Sequence, residues 1–274
     1  MIRAAVAGAA GKMGGRILAA LRVETDFTIS GAFERPESPH VGEDAGLVAG
    51  QPRLDVPITA GVASALSRSA AEVVIDFTAP AASLQHAQLC AEKGVALVVG
   101  TTGFTAQGKA ELAAYAESVP ILFAPNMSVG VNVLFRLVAQ AARALGPEYE
   151  IEIVETHHRH KRDSPSGTAL RLAEVAADAM SLDPRTACVY ERHGDTGPRK
   201  PGTIGVQALR GGDVVGDHTV YFLADGERLE LTHRATSRDN FARGAVRAAR
   251  FVVGQKPGLY DMQDVLFGDE RRQR

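Results

Sequence analysis

Five short apolar runs, separated in part by helix-compatible stretches, constrain this chain more than any other feature. They are Ile2–Ala7, Phe27–Phe33, Glu72–Phe77, Val95–Val99 and Ile121–Ala124. Near-continuous runs of this kind suit strands of a parallel sheet buried on both faces. Lys12–Arg22, which places Met13, Ile17 and Leu21 on one face, Ala81–Lys93 and Thr105–Glu117 read as the intervening helices. The alternation predicts a doubly wound α/β domain.

The pattern changes after residue 127. Gly130–Leu145 is a long amphipathic helix, and Glu150–Glu155 alternates with period 2, as a strand buried on one face does. A helix over Thr168–Met180 is followed by strand-like Thr203–Leu209, Asp213–Leu223 and Glu227–Thr232, with turn signals at Gly211-Gly212 and Asp225-Gly226. This half reads as an antiparallel or mixed sheet. Asn240–Val253 is helical again and is expected to return to the first domain. The expected boundaries are 1–127 plus 238–274 for one domain and 128–237 for the other.

The first strand runs into Gly8-Ala9-Ala10-Gly11-Lys12-Met13-Gly14, a G-x-x-G-x-x-G turn that opens a helix. Bare backbone N–H groups and a helix N-terminus can approach a pyrophosphate there, where Cβ atoms would obstruct. Glu34 ends the second strand and suits the ribose hydroxyls of NADH; Arg35 beside it, and Lys12 in the turn, suit the 2′-phosphate of NADPH. Gly100, Thr101 and Thr102 occupy a further strand end, as does the Phe77–Pro80 segment, and both are expected to line the nicotinamide side. Ala124, Pro125, Asn126 and Met127 occupy the next strand end and lead into the second half as a candidate hinge.

Lys and Arg number 30 against 32 Asp and Glu, a net charge of −2, which argues against a global nucleic-acid binder. The balance conceals His157-His158-Arg159-His160-Lys161-Arg162, a run that cannot be buried without matching anions. Asp163-Ser164-Pro165-Ser166-Gly167-Thr168 follows and reads as a helix start with Ser166 as N-cap. A helix N-terminus beside a basic loop is prepared for a small anion such as a dicarboxylate. The histidine spacing is not that of a helical zinc motif, so no metal is expected. Cys90 and Cys188 are far apart and suggest no disulfide. No apolar stretch has the length of a membrane span, and the N-terminal run is too short and glycine-rich for a signal peptide; a soluble cytoplasmic protein is expected.

Taken together, the Gly8–Gly14 turn, the Glu34-Arg35 pair, VIDFT, GTTGF, NMSVGVN, the histidine-rich string with SPSGTA, PGTIG and GDHTV resemble the 4-hydroxy-tetrahydrodipicolinate reductase (dihydrodipicolinate reductase) family over nearly the whole chain. The resemblance implies a Rossmann-like dinucleotide-binding domain plus an inserted mixed-sheet α+β domain for substrate binding and oligomerisation. It implies NADPH or NADH as cofactor, a small dicarboxylate substrate, a homotetramer, and neither nucleic acid nor membrane as partner. It assigns His157 as proton donor and acceptor, Lys161 as the other proton donor, His158 as a substrate contact, and Gly167 and Thr168 as ligands of a substrate carboxylate. Gly8, Ala9, Ala10, Gly11, Lys12 and Met13, Glu34 and Arg35, Gly100 to Thr102, and Ala124 to Met127 correspond to cofactor-binding segments. Ala10 stands where some members have glycine. Another two-domain dehydrogenase of small amino or keto acids shares the turn without a reason for the histidine string. A non-enzymatic dinucleotide sensor needs no proton donor beside an anion site.

Overall fold

A computed structural model describes residues 1–271. Its packing divides the chain into two units, Met1–Val129 with Asp239 onward, and Gly130–Arg238.

The first unit runs β1 (Ile2–Ala7), α1 (Lys12–Arg22), β2 (Phe27–Glu34), α2 (Ala45–Val48), β3 (Ile58–Ala60), α3 (Gly61–Ser69), β4 (Val73–Asp76), α4 (Pro80–Lys93), β5 (Ala96–Val99), α5 (Ala106–Tyr115) and β6 (Pro120–Phe123). The second runs α6 (Val129–Leu145), β7 (Glu150–His157), α7 (Gly167–Ala179), α8 (Pro184–Ala187), β8 (Cys188–Val189), β9 (Ile204–Arg210), β10 (Gly216–Ala224) and β11 (Glu227–Ala235). The chain then returns to the first unit with α9 (Asp239–Val252), β12 (Gly258–Tyr260) and α10 (Met262–Arg271).

Seven strands of the first unit form one sheet in the order β12-β6-β5-β4-β1-β2-β3, and every adjacent pair is parallel. Alternate residues of β1, β4, β5 and β6 enter different apolar clusters: Val6, Ile75, Val98 and Leu122 lie in one, and Ala7, Val74, Val99 and Ile121 in the other. Burial on both faces explains why these strands read as nearly unbroken apolar runs. Ala242, Ala245, Ala248 and Ala249 of α9 join Ile17 and Leu18 of α1 in the first cluster. The strand order reverses at β1, with β2 on one side and β4 on the other, so the crevice for a ligand opens at their carboxyl ends. The sequence reading anticipates none of α2, β3 and α3; α2 and β3 are too short for a period to show, whereas α3 has nine residues.

The second unit carries a five-stranded mixed sheet in the order β11-β10-β7-β9-β8. β10 is antiparallel to both β7 and β11, whereas β7 and β9 run parallel. Ile151, Ile153, Val206, Val220 and Phe222 pack beneath α6 and α7, with Leu134, Val138, Leu172 and Ala176 completing that core.

Candidate active site

The turn after β1 is shaped by two glycines. Gly8 has φ +62, a conformation that costs glycine little, and a Cβ on Gly14 would lie 2.1 Å from the Gly8 carbonyl oxygen. The N–H of Gly11 donates to the Gly8 carbonyl at 2.9 Å, which closes the turn. Gly11 is the N-cap of α1 and provides no side-chain cap for the first-turn N–H groups. Glu34 takes up one donor of the turn: its Oε1 accepts the N–H of Ala10 at 3.0 Å. Ala9 is buried, Met13 is half-buried, and Lys12 and Arg35 are exposed.

A buried carboxylate organises the neighbouring strand ends. Asp76, the last residue of β4, accepts the N–H and hydroxyl of Thr78 on Oδ1, at 2.9 and 2.6 Å, and pairs with His86 Nδ1 on Oδ2 at 2.8 Å. Thr101 is also buried, and its hydroxyl accepts the Ser83 hydroxyl at 2.8 Å and the Thr78 N–H at 3.0 Å. Its side chain thus braces the two loops from within, while Thr102 beside it is exposed and Gly100 is buried. Ala124 and Met127 are buried, Pro125 is exposed, and Asn126 accepts the N–H of Ser128 at 2.9 Å.

In the second unit the strand expected over Glu150–Glu155 extends to His157. This corrects the placement of His157 in a basic loop: it is the last residue of β7, buried, on the inward face that Ile151 and Ile153 also share. The anion that permits this burial is Glu155. Its Oε2 accepts His157 Nδ1 at 2.5 Å and Arg210 Nη1 at 2.8 Å; its Oε1 accepts Arg210 Nη2 at 2.8 Å and the Ser166 N–H at 2.9 Å. Burial alone would raise the Glu155 carboxyl, but these donors overcome it and hold the group at about 2. Nε2 of His157 faces Gly216, where a Cβ would come within 2.9 Å of it.

The rest of the basic run does form a loop. Lys161 Nζ lies 2.9 Å from Asp163 Oδ2; burial works against the Asp163 carboxylate, but this bond keeps it below its ordinary range. His158 is half-buried, and its affinity for a proton is lowered by burial and then by the positive charge of Arg238. Ser166 caps α7 as expected, its hydroxyl accepting the N–H of Ala169 at 3.1 Å. Gly167 and Thr168 precede the first intrahelical bond, which Leu170 donates to Ser166, and Gly167 is exposed. The structure therefore gathers His157, Lys161, Ser166 and the α7 start around Glu155 and Arg210. Sequence reasoning missed Glu155, Arg210 and His218. The period-2 alternation does carry a signal for Glu155, which shares its face with Ile153 and His157.

His218 on β10 lies edge-on to His157 with ring centroids 5.1 Å apart, and its Nε2 is 3.0 Å from Ser166 Oγ. Burial, followed by the charge of His157, lowers its pKa to about 3, so it is neutral near pH 7. An unfolded histidine takes up its proton near 6.5, so between about 3 and 6.5 the unfolded chain binds more protons. Stability should therefore fall as pH drops through this window, by roughly 1.4 kcal/mol per pH unit from this residue. Urea titrations of the wild type and His218→Gln at pH 6.5 and 4.5 check this; an equal pH dependence in both would refute it.

Among the described residues, no group of His, Cys, Asp and Glu could hold a metal ion, and no helix is long and apolar enough to cross a membrane. Residues 2–127 match the family model described as dihydrodipicolinate reductase, N-terminus, and residues 130–266 match its C-terminal counterpart. A 4-hydroxy-tetrahydrodipicolinate reductase of Anaeromyxobacter sp. (strain Fw109-5) is 59% identical over 97% of this chain and 98% of its own length. One from Myxococcus xanthus is 53% identical over the same shares. The solved dipicolinate-bound dihydrodipicolinate reductase from Paenisporosarcina sp. TG-14 superposes with a TM-score of 0.77 at 23% identity, covering 95% of this chain and 97% of that one, and so shares the fold.

Proposed function

Because this chain belongs to the dihydrodipicolinate reductase family, we propose how its own residues carry out the NAD(P)H-dependent reduction of 4-hydroxy-tetrahydrodipicolinate to tetrahydrodipicolinate, with loss of water, in diaminopimelate and lysine biosynthesis. The observation that carries the assignment is the buried Glu155–His157 pair beside the N-terminus of α7.

The turn from Gly8 to Met13 fits a dinucleotide, since its glycines leave the space that Cβ atoms would fill and α1 has no side-chain cap. Bound NAD(P)H supplies the hydride. Backbone N–H groups of the turn hold the pyrophosphate, and Gly100 to Thr102 with Ala124 to Met127 line the adjoining strand ends. Glu34 already receives Ala10 N–H on Oε1, so Oε2 is the oxygen left for a ribose hydroxyl. Arg35 and Lys12, both exposed, meet the 2′-phosphate of NADPH.

Gly167 and Thr168 receive one substrate carboxylate at the start of α7, and His158 contacts the substrate. Loss of water is proton-neutral overall, whereas hydride addition consumes one proton. His157, as the imidazolium, delivers it from Nε2 with its Nδ1 proton engaged by Glu155. Lys161 is the second proton donor, protonating the departing hydroxyl while the loss of a ring C–H proton keeps the water loss neutral. The protein acts on small molecules in the cytoplasm without nucleic acid or membrane. It is a homotetramer assembled through the second unit, whose sheet leaves Leu209 and Leu229 exposed.

Arg35→Ala is expected to raise the KM for NADPH about tenfold or more, the scale of one lost charge-assisted hydrogen bond, and to leave NADH nearly unchanged. NADPH and NADH consumption with enzymatically generated 4-hydroxy-tetrahydrodipicolinate tests both the activity and this preference; equal losses for the two cofactors would remove Arg35 from phosphate recognition.

A further inference from the structure

Glu155, which is buried, and Arg210, which is half-buried, have no substrate role in the reading above, yet most of the proposed chemistry hangs from them. Glu155 is fully buried, and each of its two oxygens accepts two hydrogen bonds. One oxygen holds the imidazole of the proton donor; the other holds the N–H of Ser166, which begins the helix that receives the carboxylate. Arg210 closes the arrangement from the far side. It grips both Glu155 oxygens, and its Nη2 also donates to the backbone carbonyl of Asp163 at 2.7 Å. The side chain of that same Asp163 bonds Lys161. His157, Lys161 and the start of α7 are thus tied to a single ion pair.

We propose that Glu155 is a positioning residue for the reduction. It keeps a proton on His157 Nδ1 in both charge states of the ring, so that Nε2 is the atom that takes up a proton to give the imidazolium and then passes it to substrate, and it sets the donor at a constant place relative to the carboxylate-binding helix start. This rests on the reading of His157 as proton donor.

The argument turns on which partners of Glu155 can change role. Arg210 and the Ser166 N–H can only donate. His157 alone can present either a donor or an acceptor at Nδ1. With a carboxylate at 155, all four partners donate and Nδ1 carries the proton. With glutamine there, the single carbonyl oxygen is drawn to the Ser166 N–H and Arg210 Nη2, which both point at the Oε1 position. The amide N–H₂ then faces Nδ1, which must accept, and the proton moves to Nε2. Size and connectivity are preserved, but with Nδ1 accepting from the amide the ring can no longer form the imidazolium that donates from Nε2, and that cation has lost its carboxylate partner. The aspartate-to-asparagine change of the serine-protease triad disturbs its histidine in the same way and costs about 10⁴-fold in turnover.

The test is Glu155→Gln, with His157→Asn alongside, in the full-length protein with selectively ¹⁵N-labelled histidine. Long-range ¹H–¹⁵N correlation spectra report the His157 tautomer, and His157→Asn assigns its signals. The wild type should show Nδ1–H at a pH where His157 is neutral; a wild type protonated on Nε2 overturns the proposal without any variant having to fold. Glu155→Gln should shift His157 to Nε2–H and lower kcat on the order of 10³-fold, with the KM for NADPH within about threefold of wild type. A merely structural residue would weaken thermal stability and cofactor binding together and leave the tautomer of the folded fraction unchanged. Should the unpaired Arg210 charge prevent folding, Glu155→Gln/Arg210→Leu removes both charges and is read the same way. Turnover within threefold of wild type in a folded Glu155→Gln enzyme overturns the proposal while His157→Asn is inactive. If His157→Asn itself turns over normally, the reading of His157 falls, and this assignment falls with it.

Discussion

His157→Ala is expected to lower turnover of 4-hydroxy-tetrahydrodipicolinate by 10²–10⁴-fold, the usual contribution of one positioned general acid, while NADPH binds as before. The substitution removes the imidazole that would deliver the proton, but it does not strand a buried charge. Glu155 keeps both hydrogen bonds from Arg210 and the one from the Ser166 N–H. The fold should therefore lose only the packing of one ring and its 2.5 Å bond, and a catalytic defect can be told from unfolding. Lys161→Ala should also lose turnover, and its side chain releases only Asp163, which is exposed. Rates under saturating NADPH, with cofactor affinity measured separately, provide the check. A His157→Ala enzyme with wild-type kcat would remove this residue from the chemistry, and the same holds for Lys161.

Gly14→Ala should cost the protein its cofactor. The added Cβ would lie 2.1 Å from the Gly8 oxygen and 2.8 Å from Ala9 Cα, and both obstacles are backbone, which cannot swing aside as a side-chain tip does. The turn must open, and it carries with it the donors at Ala10 and Gly11 that hold Glu34 and the Gly8 carbonyl. NADPH affinity is expected to drop at least tenfold, and overpacking should destabilise the first unit by about 1–3 kcal/mol. Titration followed by NADPH fluorescence, paired with thermal melts with and without NADPH, measures both effects. Wild-type affinity in the variant would show that the close approach of Gly14 to Gly8 does not shape the phosphate site.

The elements of the parallel sheet were legible because burial on two faces leaves a continuous apolar run, which local composition reports directly. Lys12–Arg22 is a helix over the expected residues, and Ser166 caps α7 as its position before Gly167 suggests. β3 is three residues long and α2 four, below the length at which either period declares itself. The histidine run was visible as chemistry but not as geometry. A string of six basic and imidazole residues suggests one exposed loop, whereas the backbone splits it, with His157 ending a strand and His158 beginning the loop.

Neighbouring residues in the sequence thus determined the kind of chemistry available: a glycine turn for phosphates, an acid and an arginine at the end of β2, and proton donors ahead of a capped helix. Which of those residues is held, and by what, depends on strand pairing. The parallel register of β7 with β9 places Arg210 opposite His157, and the guanidinium reaches Glu155 from 55 residues away. No local pattern encodes that meeting, because register between distant strands is set by how the whole apolar face packs, and a slip of one residue in either strand would turn its charge to the other side of the sheet from its partner.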